Sequence, residues 1–140
     1  MKRLAFILTL LASSALAATD DDHVAARNKA FEMAGAWSND GFKIRDGFWS
    51  GSLKVGEAKI VQVNLYAGNQ YWFTLAGNDR AKKVAVTVYD ERGKPVAGER
   101  VQDGARAAAG FSATVSGPYL VKVELLEGAP SAFAMIYSFK

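Results

Sequence analysis

Two clusters in this sequence gather side chains able to do chemistry. The first is Asp20-Asp21-Asp22-His23, three carboxylates beside the only imidazole in the chain. Such a set could hold a cation weakly, or it could open a helix, where free amides and the macrodipole favour negative charge. The second is the stretch 39–51, "NDGFKIRDGFWSG", which says Asp-Gly-Phe twice, at 40–42 and at 46–48. All three tryptophans, Trp37, Trp49 and Trp72, lie in or near it. Exposed indole rings stack on the apolar C–H faces of sugars, and nearby carboxylates supply hydrogen bonds. Trp37, Trp49, Trp72, Asp40 and Asp46 are therefore the candidate ligand-binding residues, with Trp72 the best exposed ring and Trp49 at least partly buried. Turn chemistry competes with this reading, because glycine takes positive φ freely and Asp bonds its own backbone. On that reading Phe42 and Ile44 face inward and Phe48 or Trp49 closes one end of a core.

Catalysis finds little material. His23 stands alone near the start of the exported chain, on a segment expected to be mobile, where a Ser-His-Asp arrangement has poor support. The chain has no cysteine, which excludes thiol nucleophiles and cysteine-ligated zinc. The glycines fall singly at turns and make no phosphate-cradling loop. Asp90-Glu91-Arg92-Gly93 lacks the alternating oxygen ligands of a calcium loop and carries Arg92 in its middle. The acids fall mostly at turns or on wet strand faces. The expectation is a protein that is not an enzyme, with no cofactor and no metal.

The first residues set the destination. Lys2 and Arg3 precede an apolar run from Leu4 to Leu11, and Ala15-Leu16-Ala17 supplies a small-x-small ending. That is the layout of a secretory signal peptide over 1–17, too short for a membrane helix and followed at once by aspartates. Without it, 15 basic residues face 14 acidic ones and the formal charge falls from +3 to +1. Lys82-Lys83 is the one basic pair left, read as part of a turn, and no basic face for nucleic acid is visible. The expected location is periplasmic or secreted, with no transmembrane segment in the mature chain.

These side chains need a frame, and the period of the sequence describes one. A helix is expected over about 22–36, with Val24, Ala30, Phe31 and Ala34 as its stripe and Gly35 as its end. With the turns that follow, it makes a segment 18–47. From residue 48 the period becomes two. Val61, Val63 and Leu65 alternate with Gln62 and Asn64; Tyr71, Phe73 and Leu75 with Trp72 and Thr74; Val84, Val86 and Val88 with Ala85 and Thr87. Tyr119, Val121, Val123 and Leu125 oppose Lys122 and Glu124, and Phe133, Met135, Tyr137 and Phe139 share a side. Alternation with one polar face indicates antiparallel strands half-buried on a core. Residues 94–114 are less regular: Pro95-Val96-Ala97 reads as a short edge strand, and Ala107, Ala109 and Phe111 alternate weakly. The fold class is all-β, an antiparallel β-sandwich, jelly-roll-like, of seven or eight strands over 48–140 with a short N-terminal helix.

The order of these strands resembles the bacterial pre-peptidase C-terminal domain family. The matching residues are Ala67-Gly68 with Tyr71 and Phe73; Val86, Val88, Tyr89, Asp90 and Gly93; and Gly117, Tyr119, Val121 and Val123. They span about 50–139. The resemblance implies a jelly-roll-like sandwich and an accessory role in secreted proteins, including attachment to insoluble polymers. The expected function is a non-catalytic exported interaction module that contacts a protein or an envelope component. A carbohydrate-binding module using the tryptophan-rich surface is the alternative.

Overall fold

The computed structural model describes residues 18–140, so the expected signal segment lies outside the described residues. The helix, α1, runs Asp20–Asn39. Thr19 caps it: its hydroxyl accepts from the Asp22 N–H at 3.2 Å, and the Asp22 carboxylate accepts from the Thr19 N–H at 2.9 Å. This reciprocal box satisfies two amides that the first turn leaves free. The hydrogen bond from the Thr19 backbone, foremost among several causes, holds the Asp22 carboxyl below its ordinary range. The acidic run thus serves as a helix start, and His23 belongs to the same turn rather than to a mobile terminus.

Two expectations about α1 are corrected. It does not stop at Gly35 but continues to Asn39, where Gly41, at φ +90°, turns the chain. A mid-helix glycine costs about 1 kcal/mol against alanine, and docking of the last turn through Trp37 outweighs that. The buried stripe keeps the expected Ala30 and Ala34 but not Val24 and Phe31, which are 43% and 40% exposed. It is Ala26, Ala30 and Ala34, four apart and fully buried against Ala76, Ala132, Ala134 and Ile136. Alanine facing alanine lets the helix backbone lie close to a sheet.

Nine strands follow: β1 (Lys43–Ile44), β2 (Trp49–Leu53), β3 (Ala58–Leu65), β4 (Gln70–Gly77), β5 (Ala81–Tyr89), β6 (Glu99–Asp103), β7 (Arg106–Ser112), β8 (Gly117–Gly128) and β9 (Ser131–Phe139). They make two antiparallel sheets. The larger has the order β1-β9-β4-β7-β6, with β2 also on β9; the smaller is β3-β8-β5. β1 pairs with 138–139 and β2 with 131–135 of β9, so the two are pieces of one edge broken by the Arg45–Phe48 loop. The two-sheet antiparallel sandwich is the fold class that the alternation indicates. Phe73, Leu75, Val84, Val121, Val123 and Met135 lie at its centre, each at most 1% exposed.

The one-polar-face expectation fails for β4 and β9. Thr74, Ala76, Ala134, Ile136 and Ser138 are buried too, because α1 covers the outer face of the larger sheet. In 94–114, Pro95 makes only a single bridge to Tyr89, and the regular hairpin is β6–β7, with Ala107, Ala109 and Phe111 facing the core. Lys82 and Lys83 lie at the irregular start of β5 rather than in a turn.

The two sides of the sandwich differ. On one, β5 is tied to the β6–β7 hairpin: the Val84 N–H donates to the Gly104 carbonyl at 3.1 Å, and Gln102 Nε2 donates to the Val84 carbonyl at 2.9 Å. On the other, β3 pairs with β8 alone and β1 and β2 pair with β9 alone, which leaves a seam between two strand edges. No helix among the described residues is long and apolar enough to cross a membrane.

Candidate functional site

The five candidate residues do not form one surface, because the larger sheet divides them. β4 alternates, so with Phe73 in the core Trp72 must face outward, and its cross-strand partner is Ser138. Trp49 sits opposite core-facing Met135 and so faces inward. Trp37 arrives on α1, on the outer side. Trp37, Trp72 and Asp40 thus border one surface depression, while Trp49 and Asp46 border another on the open seam.

The outer pair is packed rather than presented. The Trp37 and Trp72 rings lie 3.9 Å apart and within 2° of parallel. Trp37 Nε1–H donates to Thr74 Oγ1 at 3.0 Å, which satisfies the indole against the sheet. Gly110, the strand neighbour of Trp72, leaves room for the ring: a Cβ there would sit 2.6 Å from it. Trp72 is 9% exposed, so the expectation that it is the best exposed ring is corrected. The helix, which the sequence reads as short, reaches far enough to lay Trp37 over it. Asp40 caps the helix C-terminus, and its carbonyl accepts from Lys140 Nζ at 2.9 Å.

The seam has the more accessible chemistry. A groove of about 570 Å³ runs between β3 and the β2/β9 edge, with Trp49, Tyr71, Tyr137 and Phe139 along it and Arg45 and Asn64 at its rim. Trp49 stacks near Tyr137, centroids 5.8 Å apart. The Tyr71 hydroxyl accepts from the Tyr66 N–H at 2.9 Å and from Asn69 Nδ2 at 3.2 Å, which fixes its ring. Arg45 lies with its guanidinium carbon 5.1 Å from the Tyr137 centroid, and it also donates to the Tyr137 hydroxyl. Its backbone N–H donates to the Tyr137 carbonyl at 3.0 Å. Beyond Arg45 a smaller recess of about 250 Å³ holds Asp46 and the half-exposed Phe48.

Sequence reading has Ile44 inward and Trp49 partly buried, as the structure has them, whereas Phe42, also expected inward, joins neither core cluster and is half-buried at the outer depression with Lys140 over its ring. Tyr71 and Tyr137, taken as core, are core residues at 3% and 6% exposure, and Arg45, taken as a wet flank, is exposed; what sequence reading misses is that the two rings floor a groove with Arg45 at its rim. The available signal was the Asp46-Gly47 turn: Gly47, at φ +91°, ends the short strand beside Arg45 and lets the chain re-enter as β2. The arrangement suits binding: a rigid aromatic floor, one guanidinium and several amides. Among the described residues no three His, Cys, Asp or Glu side chains gather as metal ligands.

No family model matches the chain, and no curated protein is similar to it. Among solved structures it is similar to Aeromonas hydrophila PliG, described as a periplasmic lysozyme inhibitor of g-type lysozyme. The match has a TM-score of 0.50 and 12% sequence identity, over 67% of this chain and 85% of that one. At that identity the likeness establishes a shared fold: this chain has the two-sheet sandwich architecture of PliG.

Proposed function

We propose that this chain is an exported, non-catalytic module that acts by binding a protein of the periplasm or cell envelope. The observation that carries the reading is the open seam. It combines ordered aromatic rings, an exposed guanidinium and two strand edges that lack partners among the described residues, the kind of surface on which aromatic and arginine contacts dominate protein recognition. The architecture shared with PliG supports the same class of action, since there a sandwich of this kind works by contacting an enzyme rather than by turnover. The resemblance to pre-peptidase C-terminal domains supports an accessory role as well. A sugar platform on Trp37 and Trp72 is the weaker reading, because those rings occupy each other's faces.

The test is capture. Immobilised exported chain is exposed to envelope extract and, separately, to a panel of insoluble polysaccharides, and any captured protein is identified and rebound in purified form. Inhibition of g-type lysozyme is the first assay for such a pair. Retention on a polysaccharide with no protein partner, or turnover of ester, glycoside or peptide substrates that survives repurification, would overturn the reading.

A further inference from the structure

We infer that the seam takes an extended segment of the partner protein as an added strand along β3, and that this segment carries two carboxylates four residues apart. The inference deepens the binding role proposed above and rests on it. Among the described residues β3 bonds only β8, so alternate residues along its eight-residue length direct N–H and C=O groups outward. Such an edge accepts a strand by main-chain pairing, and side chains beside it decide which strand.

Those side chains are cationic. Lys59 stands at an inward-facing position of β3, with its Nζ 5.9 Å from the centroid of the Phe133 ring. Arg45 lies over Tyr137 in the same manner at the rim of the groove, and Lys59 stands further along the same β3 edge, outside the groove's lining. Phe133 and Tyr137 are four residues apart on one face of β9, about 13 Å along the strand, and each ring holds one of the two cations. Neither has a carboxylate partner. The ion pairs among the described residues are Lys29–Asp79, Arg80–Asp22, Arg106–Asp103 and Lys122–Glu124. A charge directed inward at a sheet edge rejects an apolar strand, because docking would bury it unpaired. A strand with carboxylates at i and i+4 on its inner face turns both penalties into charge-assisted contacts.

The probe is a synthetic Thr/Val strand peptide with Glu at i and i+4, against its counterpart with Lys at those positions. Titrated into isotope-labelled exported chain, the Glu peptide should shift backbone amide signals along 58–65 and beside Arg45, and the Lys peptide should not. Reversing both cations, Lys59→Glu with Arg45→Glu, should weaken binding by at least about tenfold. The milder Lys59→Gln with Arg45→Gln serves if the reversed chain fails to fold, as judged by circular dichroism. Shifts elsewhere, equal binding of the Lys peptide, or unchanged affinity in a folded variant would overturn the inference. Self-association of the chain through β3 without peptide binding would overturn it too. A captured partner that holds the doubly reversed chain as tightly as the original removes the seam and leaves the binding role. Absence of any captured protein removes the role, and peptide binding along β3 would still support the seam.

Discussion

The two tryptophan groups sit on opposite faces of the same sheet and have opposite fates. On the outer face, Trp72 lies under Trp37, between a helix that docks through alanines and a glycine that makes room for its ring. On the inner face, Trp49 lies where the sandwich fails to close, half-buried over the buried Tyr137 ring, with exposed Arg45 at the rim of a groove. Residue type does not separate the two. What separates them is whether a second layer arrives: α1 supplies one outside, and nothing among the described residues supplies one at the seam.

Mutation can break or sharpen that contrast, and the largest effect belongs to the covered face. Trp72→Ala should cost about 3–5 kcal/mol by urea unfolding, since a buried ring is lost and the helix loses its stacking partner. Trp49→Ala, at the half-buried site, should cost less, about 1–3 kcal/mol, and should leave the helical circular-dichroism signal intact. Equal losses at both sites would erase the distinction. Next comes Ala30→Leu, which forces extra volume between helix and sheet. About 1–3 kcal/mol is expected, with the seam residues unperturbed in amide spectra.

The smallest effects lie at the cap. Thr19→Ala should cost about 1 kcal/mol. Folding lowers the Asp22 pKa, so its contribution is complete above the ordinary carboxylate range and is lost as pH falls through the lowered value. Urea midpoints should therefore drop as pH falls below the ordinary carboxylate range. Asp22→Asn should flatten that part of the profile, and an unchanged acid slope would mean that other carboxylates control it.

Much of the sandwich was legible because half-buried strands advertise themselves. β3, β5 and β8 alternate cleanly, since each has one face in the core and one in water or nearly so. β4 and β9 were placed but misjudged on their outer faces. Their near-continuous apolar runs, "YWFTLA" and "AFAMI", were the sign of burial on both sides. Ala30 and Ala34 were read into the helix stripe, yet Val24 and Phe31 were read with them in place of Ala26, because hydrophobicity ranks side chains by size and close helix–sheet packing prefers small ones. The site was only half legible. The Asp-Gly-Phe repeat marked the right loop, but strand register, which sets Trp49 opposite Met135 and Trp72 opposite Ser138, is a pairing of distant segments that local pattern does not encode.

β9 has a consequence for how the chain reaches its native state. It bonds β1, β2 and β4 and carries the face on which α1 rests, so the first and last parts of the described chain depend on one another. Contacts such as that between Asp40 and Lys140 close loops of a hundred positions. Loops of that size favour slow assembly, because chain entropy is lost before any contact offsets it. The larger sheet cannot be completed as the chain emerges: until Ser131–Phe139 arrives, β4 has only β7 beside it, β1 and β2 have no partner among the described strands, and the helix lacks half of its floor. The closing of the larger sheet and the docking of the helix are therefore expected to wait for the last strand of the chain.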